Sequence, residues 1–158
     1  MKFITFVVPC FNSEGYMDRC VNSLLTAGSD VEIIIINDGS TDRTGEIAQE
    51  YQEKYPDIVR AVNKENGGHG SGVNKGLELA TGVYFFVVDS DDWLDPTALQ
   101  ELMTRLKSFC MIQLRNQSTI TPDLIICNYV YDHLNEGVSR AIDYRQVMFP
   151  EKIYRWKD

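Results

Sequence analysis

The sequence predicts an α/β fold: a doubly wound, mostly parallel, Rossmann-like sheet with helices on both faces. Three observations carry this. Phe3–Val8, Val31–Ile36 and Val83–Val88 are short runs rich in β-branched and aromatic residues, read as strands buried on both faces. Segments with apolar residues at three- and four-residue spacing lie between them. Strands and helices alternating in this way select a parallel sheet with right-handed crossovers.

The elements follow in order. Phe3–Val8 is the first strand, interrupted only by Thr5, and Pro9-Cys10-Phe11-Asn12 is its turn. Ser13 is a candidate cap for a helix whose apolar face is Tyr16, Met17, Cys20, Val21, Leu24 and Leu25, ended by Gly28. Val31–Ile36, with four consecutive isoleucines, is a central strand, and the residues from Asn37 to Asp42 form a loop. Thr41 or Asp42 caps a helix lined by Ile47, Ala48, Tyr51 and Tyr55 and closed by Pro56. Ile58–Val62 is a shorter strand. Asn66 to Gly72 reads as a flexible glycine-rich loop, followed by a helix marked by Val73, Leu77 and Ala80.

Val83–Val88 is the next strand. Pro96 opens a helix with Leu99, Leu102, Met103 and Leu106 on one face. Residues 108–121 read as irregular. Leu124–Tyr131 and Val138–Tyr144 form an antiparallel pair around a turn at Leu134-Asn135-Glu136-Gly137. No repeat or low-complexity linker divides the chain, so 1–158 reads as a single domain.

Composition narrows the function classes. The 158 residues are 44% hydrophobic and 24% charged, an ordinary globular balance. A net charge of −8 argues against nucleic acid as a partner. No apolar run approaches the roughly 18 residues that span a bilayer. Cys10, Cys20, Cys110 and Cys127 lie far apart with no CxxC, which reads as reduced thiols in a cytoplasmic protein.

The acidic stretch Asp89-Ser90-Asp91-Asp92 at the end of a buried strand is costly unless a cation or polar ligand meets it. In open α/β sheets that edge is where ligands bind. Asp38, after the isoleucine run, and the segment from Asn66 reach the same edge. Asp42, Asp92 and Asp95 read as turn or helix caps. Other motifs fail. Counted from Asp89, an EF-hand needs acids where Trp93 and Gln100 stand. Lys75 precedes Gly76, so there is no P-loop, and no GxSxG elbow exists. His69, among glycines, reads as a solvated loop side chain.

VVPCFNSE (Val7–Glu14), IIIINDGSTD (Ile33–Asp42), ENGGHGSGVNKG (Glu65–Gly76) and VVDSDDWLDP (Val87–Pro96) occur in this order. Together they resemble the nucleotide-binding part of a family 2 glycosyltransferase of GT-A fold, over about residues 1–107. The resemblance implies transfer of a sugar from a nucleoside-diphosphate sugar, most often a UDP-sugar, to a glycan, lipid-linked or polysaccharide acceptor. It implies inversion at the sugar carbon. It implies a divalent cation, Mn²⁺ or Mg²⁺, with Asp91 as its ligand and Asp89 and Ser90 beside the donor. Asp38 would accept from the base. Pro9, Phe11, Asn12 and Glu14 would form the other wall of the pocket, and Asn66, Gly67 and Lys75 would border the nucleotide.

Two departures accompany the resemblance. Asn37 stands where the family often has a second Asp. No later acidic motif follows, so the general base is expected beyond Asp158; Asp143, Glu151 and Asp158 are not candidates. The chain then reads as the donor-binding part of an enzyme cut before its acceptor half, at the inner face of the membrane or self-associated through the surface that half would cover. The alternative is a nucleotide- and metal-binding module without transfer.

Overall fold

The computed structural model describes residues 1–115, 122–133, 138–146 and 148. Contacts divide the chain into two compact units, Met1–Arg115 and residues 116–158. The first holds four parallel strands and four helices. These are β1 Ile4–Cys10, α1 Met17–Leu25, β2 Val31–Asp38, α2 Thr44–Lys54, β3 Val59–Lys64, α3 His69–Leu79, β4 Tyr84–Val87 and α4 Pro96–Arg115. The strand order is β3-β2-β1-β4. The chain winds outward from β1 through β2 to β3, then returns to place β4 on the other side of β1. The C-terminal ends of β1 and β4 therefore flank a topological switch point, the usual ligand crevice of such sheets.

Parallel pairing with neighbours on both sides explains the unbroken apolar character of β1 and β2. Every residue of β1 is buried, and β2 is buried from Ile33 to Asp38. Val7, Ile34 and Ile36 form one face of the core, joined by Val62, Leu79 and Phe85. α3 covers that face and α2 the opposite one, where Gly45 packs on Asn37.

Several expectations are corrected. β1 runs through Pro9 to Cys10, and the turn begins later. Proline is tolerated in this central strand because Val7 accepts from the Val88 N–H. Pro9, two residues on, faces the same side, beyond the last β4 pair at Val87. β2 likewise keeps Asn37 and Asp38, paired with Asn63 and Lys64. β4 is half-buried, because among the described residues it pairs with β1 alone. Ser13 does not cap α1. A turn intervenes, in which the Ser13 carbonyl accepts from the Tyr16 and Met17 N–H groups.

The glycine-rich segment is also not a flexible loop throughout, since α3 begins at His69. A Cβ on Gly76 would lie 2.3 Å from Val7 Cγ1, and one on Gly72 3.3 Å from Pro9 Cβ. These glycines seat a helix close against the sheet. The buried side of α3 is therefore Gly72, Gly76 and Leu79, and Leu77 is exposed. Residues 108–115 continue α4, since buried Cys110 extends the Leu99, Met103, Leu106 spacing.

The second unit contains β5 Tyr129–His133 and β6 Val138–Ile142, antiparallel, and a 3₁₀ turn at Tyr144–Gln146. β5 starts at Tyr129 rather than Leu124, because pairing begins at Tyr129–Ile142 and Leu124 and Ile126 lie exposed. Asn128 closes the open end: its Oδ1 accepts the Tyr144 N–H at 2.9 Å. The turn expected at 134–137 lies outside the described residues, as do residues 116–121 of the irregular stretch. No helix among the described residues is long and apolar enough to cross a membrane.

Candidate functional site

β2 delivers Asp38 to the sheet edge. Its side chain is almost wholly buried and pairs with Lys64 at the end of β3. The Gly67 N–H donates to the same carboxylate oxygen at 3.0 Å. Burial pushes this carboxyl upward, but the ammonium of Lys64 and the Gly67 amide outweigh it and hold the group below the usual range. Asn37 fixes the turn beside it, accepting the Ser40 N–H at 3.1 Å and donating to Asn63 Oδ1 at 2.8 Å. Gly39, at φ 72°, has no room for a side chain: a Cβ there would sit 2.7 Å from the Asn66 backbone nitrogen.

The loop after β1 is stitched to the loop after β2. Asn12, in the left-handed region at φ 52°, accepts the Thr41 N–H at 2.9 Å, and its own N–H donates to Ser40 Oγ at 3.0 Å. Glu14 accepts the Arg43 N–H at 2.9 Å and donates its N–H to Asp42. Asp42 also accepts the Thr44 N–H at 3.0 Å, closing the turn ahead of α2, whose N-cap position is taken by Arg43 rather than by Thr41 or Asp42. Pro9 is buried against Gly72, while Phe11 is half-exposed. Asn66 and Gly67 are exposed beside Asp38, and Lys75 pairs with Glu78 on the flank of α3.

The acidic loop follows β4. Asp89 and Asp91 are exposed and Ser90 between them is buried. His69, at the start of α3, reaches Asp89 Oδ1 at 2.9 Å. The Asp92 carboxyl is pushed above its ordinary value, first by burial and then by the charges of Asp91 and Asp89. The exit of the loop is pinned to α1. The Arg19 guanidinium lies 3.1 Å over the Trp93 ring, and Ser23 Oγ accepts the Leu94 N–H. Asp95 caps α4 through the Ala98 N–H.

The structure thus brings Pro9, Asn12, Asp38, Asn66, Gly67, Asp89, Ser90 and Asp91 to the C-terminal edge of the sheet. Among the described residues no three His, Cys, Asp or Glu side chains converge on a metal-sized point. Asp89 and Asp91 offer hard oxygen donors of the kind Mg²⁺ and Mn²⁺ take, with room left for ligand oxygens and water. Sequence reasoning missed Lys64, Thr44 and the pairing role of His69. A lone lysine at a strand end carries no signal separating it from a surface lysine. The four cysteines are free, with Cys127 alone exposed.

This strand order, with helices on both faces, is the α/β fold of GT-A glycosyltransferases. A family model for glycosyl transferase family 2 matches residues 5–117, and the chain belongs to that family. It is 35% identical over 144 residues to EpsH of Bacillus subtilis, provisionally named a glycosyltransferase; the match covers 90% of this chain and 38% of EpsH. It is 43% identical over 102 residues to the uncharacterized glycosyltransferase YibD of Escherichia coli, covering 64% of this chain and 29% of YibD. The solved structure of Staphylococcus aureus TarS 1-349 in complex with UDP superposes with a TM-score of 0.60 at 28% identity, covering 70% of this chain and 33% of that one. The chain therefore spans under two fifths of the length of each.

Proposed function

We propose that this chain is the donor-binding part of a metal-dependent, inverting glycosyltransferase that takes a UDP-sugar and serves glycan or polysaccharide synthesis. One observation carries the reading: three hydrogen bonds among the loops after the four strands bring a buried, ionised Asp38 and the Asp89 and Asp91 carboxylates to one sheet edge. TarS, which shares the fold at this edge, has been solved with UDP and with UDP-GlcNAc.

The chemistry divides between the two ends of the donor. Asp38, ionised, accepts the N3–H of uracil, a bond that an analogue lacking the donor cannot make. Asn12 and Gly39 keep the two walls of the base slot at fixed separation. Asp91 would hold the cation, and Asp89 would serve the sugar side of the donor. A divalent cation there neutralises the charge that builds on the departing diphosphate. The acceptor hydroxyl oxygen bonds to the sugar carbon as the bond to the diphosphate breaks on the opposite side, which inverts the carbon, and the hydroxyl proton passes to a general base.

The test is calorimetric titration of UDP into the protein with and without Mn²⁺, for the parent and Asp91→Asn. Binding that strengthens with Mn²⁺ in the parent and loses that dependence in the folded variant is the expected result. Equal titration curves for the two proteins reject Asp91 as the ligand.

A further inference from the structure

Ser13 and Ser90 are 77 positions apart in sequence, yet their hydroxyl oxygens lie 2.9 Å apart in the buried interior behind the acidic loop. Ser13 is 0% exposed and Ser90 9%. Neither hydroxyl serves a helix. The Ser13 N–H is held separately by Thr44 Oγ1 at 2.7 Å, which fixes Ser13 to the start of α2. Its carbonyl is occupied by the Tyr16 and Met17 amides. The third member of the cluster, Cys10 at the end of β1, is buried, its thiol pushed up to about 12 by that burial. It is a neutral neighbour and not a nucleophile. The Ser13 and Ser90 hydroxyls also reach the Cys10 thiol, and their bond to each other ties the acidic loop to the end of β1.

That bond decides where two carboxylates go. Ser90 is the middle residue of Asp89-Ser90-Asp91. With Ser90 anchored inward, Asp89 and Asp91 on either side of it stand at the exposed edge. The anchor works against the mutual repulsion of three neighbouring acids. We propose that Ser13 is a positioning residue for the donor site, holding Asp89 and Asp91 at the sheet edge through Ser90. Its consequence for cation and diphosphate binding rests on the function proposed above; its consequence for the loop does not.

The experiment compares Ser13→Ala, Ser90→Ala and the double variant in two measurements. Hydrogen exchange of the free protein should rise across residues 89–94 in each variant. It should stay unchanged across 39–44, because Ser13→Ala keeps the backbone bond to Thr44. The Mn²⁺ concentration needed for half-maximal UDP binding should rise roughly three- to tenfold, the scale of one buried hydrogen bond. UDP binding without metal should hold, and the double variant should lose no more than either single one.

Unchanged exchange at 89–94 in both single variants overturns the proposal, even if UDP and Mn²⁺ bind as expected. Equal loss of binding with and without metal overturns it as well, since the pair would then only support the fold. If the parent shows no Mn²⁺-dependent UDP binding while exchange at 89–94 still rises, the clamp on the loop stands and the donor-site role fails. Ser90→Ala alters the loop itself, so it provides the reading if Ser13→Ala does not fold.

Discussion

Asp38 ends β2 and Asp92 lies in the loop after β4, on the two strands that flank β1, and their surroundings are opposite. Asp38 is buried, paired with Lys64 and bonded to the Gly67 amide, so its carboxyl is held below the ordinary value. Asp92 lies in a loop where burial and two neighbouring acids push its carboxyl above it. The base side is assembled by the fold, with its charge balanced inside the protein. The acidic side gathers three neighbouring carboxyl groups, with the His69 ring bonded to Asp89 at 2.9 Å. The difference fits the function proposed above, with one wall for a neutral donor group and the other for a cation.

The sharpest break of this contrast is Asp38→Ala. It removes the acceptor and leaves Lys64 without its partner. A hydrogen bond to a charged group is worth about 1.5–3 kcal/mol, so UDP binding should weaken by at least tenfold, and preference for uracil over cytosine nucleotides should disappear. Dependence on Mn²⁺ should persist. Calorimetry with UDP and CDP measures both. A loss well below that range would mean that Asp38 only braces the turn.

A smaller effect comes from Gly39→Ala, which presses on the base side alone. A left-handed backbone costs a residue with a Cβ about 1–2 kcal/mol, and the new atom would meet the Asn66 backbone. Urea unfolding should show a loss of at least that size. UDP affinity should fall while the Mn²⁺ midpoint stays. A shifted Mn²⁺ midpoint would show that the two walls move as one body.

The two walls also differ in how far the sequence disclosed them. The placement of Asp38, Asp89, Ser90 and Asp91 at the sheet edge was legible because each closely follows or ends an apolar strand run. The strands β1, β2 and β4 were legible from their apolar runs, but the half-buried state of β4 was not, since strand order leaves no trace in periodicity. Gly72 was misread because glycine signals flexibility and close approach equally. Ser13 was misread as a cap because serine before an apolar spacing usually is one. Its actual partner lies 77 positions away, beyond any local pattern. Lys64 became visible only when β3 placed it beside β2.

The smallest expected effect is a pH dependence, and its sign separates the two sides. Asp38 and Asp42 have lowered carboxyls: burial raises each, but for Asp38 Lys64 and for Asp42 Thr44 outweigh it. Their contribution to stability is present above the unfolded value of about 3.9 and is lost as pH falls through the folded values. Asp92 runs the other way. Its folded carboxyl is raised, so protonation on the way down from neutral pH removes a repulsion and adds stability, fully gained below about 3.9. Stability of the parent should therefore rise slightly on mild acidification before falling. Asp91→Asn removes the larger of the two neighbouring charges, so Asp92 should titrate closer to its ordinary value and the rise should flatten. Part of it should remain, because burial is the first cause. The difference should stay under about 1 kcal/mol, since the loop is open to solvent and its charges are screened. Carbon-13 titration of the aspartate carboxyls checks the midpoints, and urea unfolding across the same pH range checks the stability. An unmoved Asp92 midpoint in Asp91→Asn would mean that burial alone sets the shift, and the acidic side would carry no charge strain for a cation to relieve.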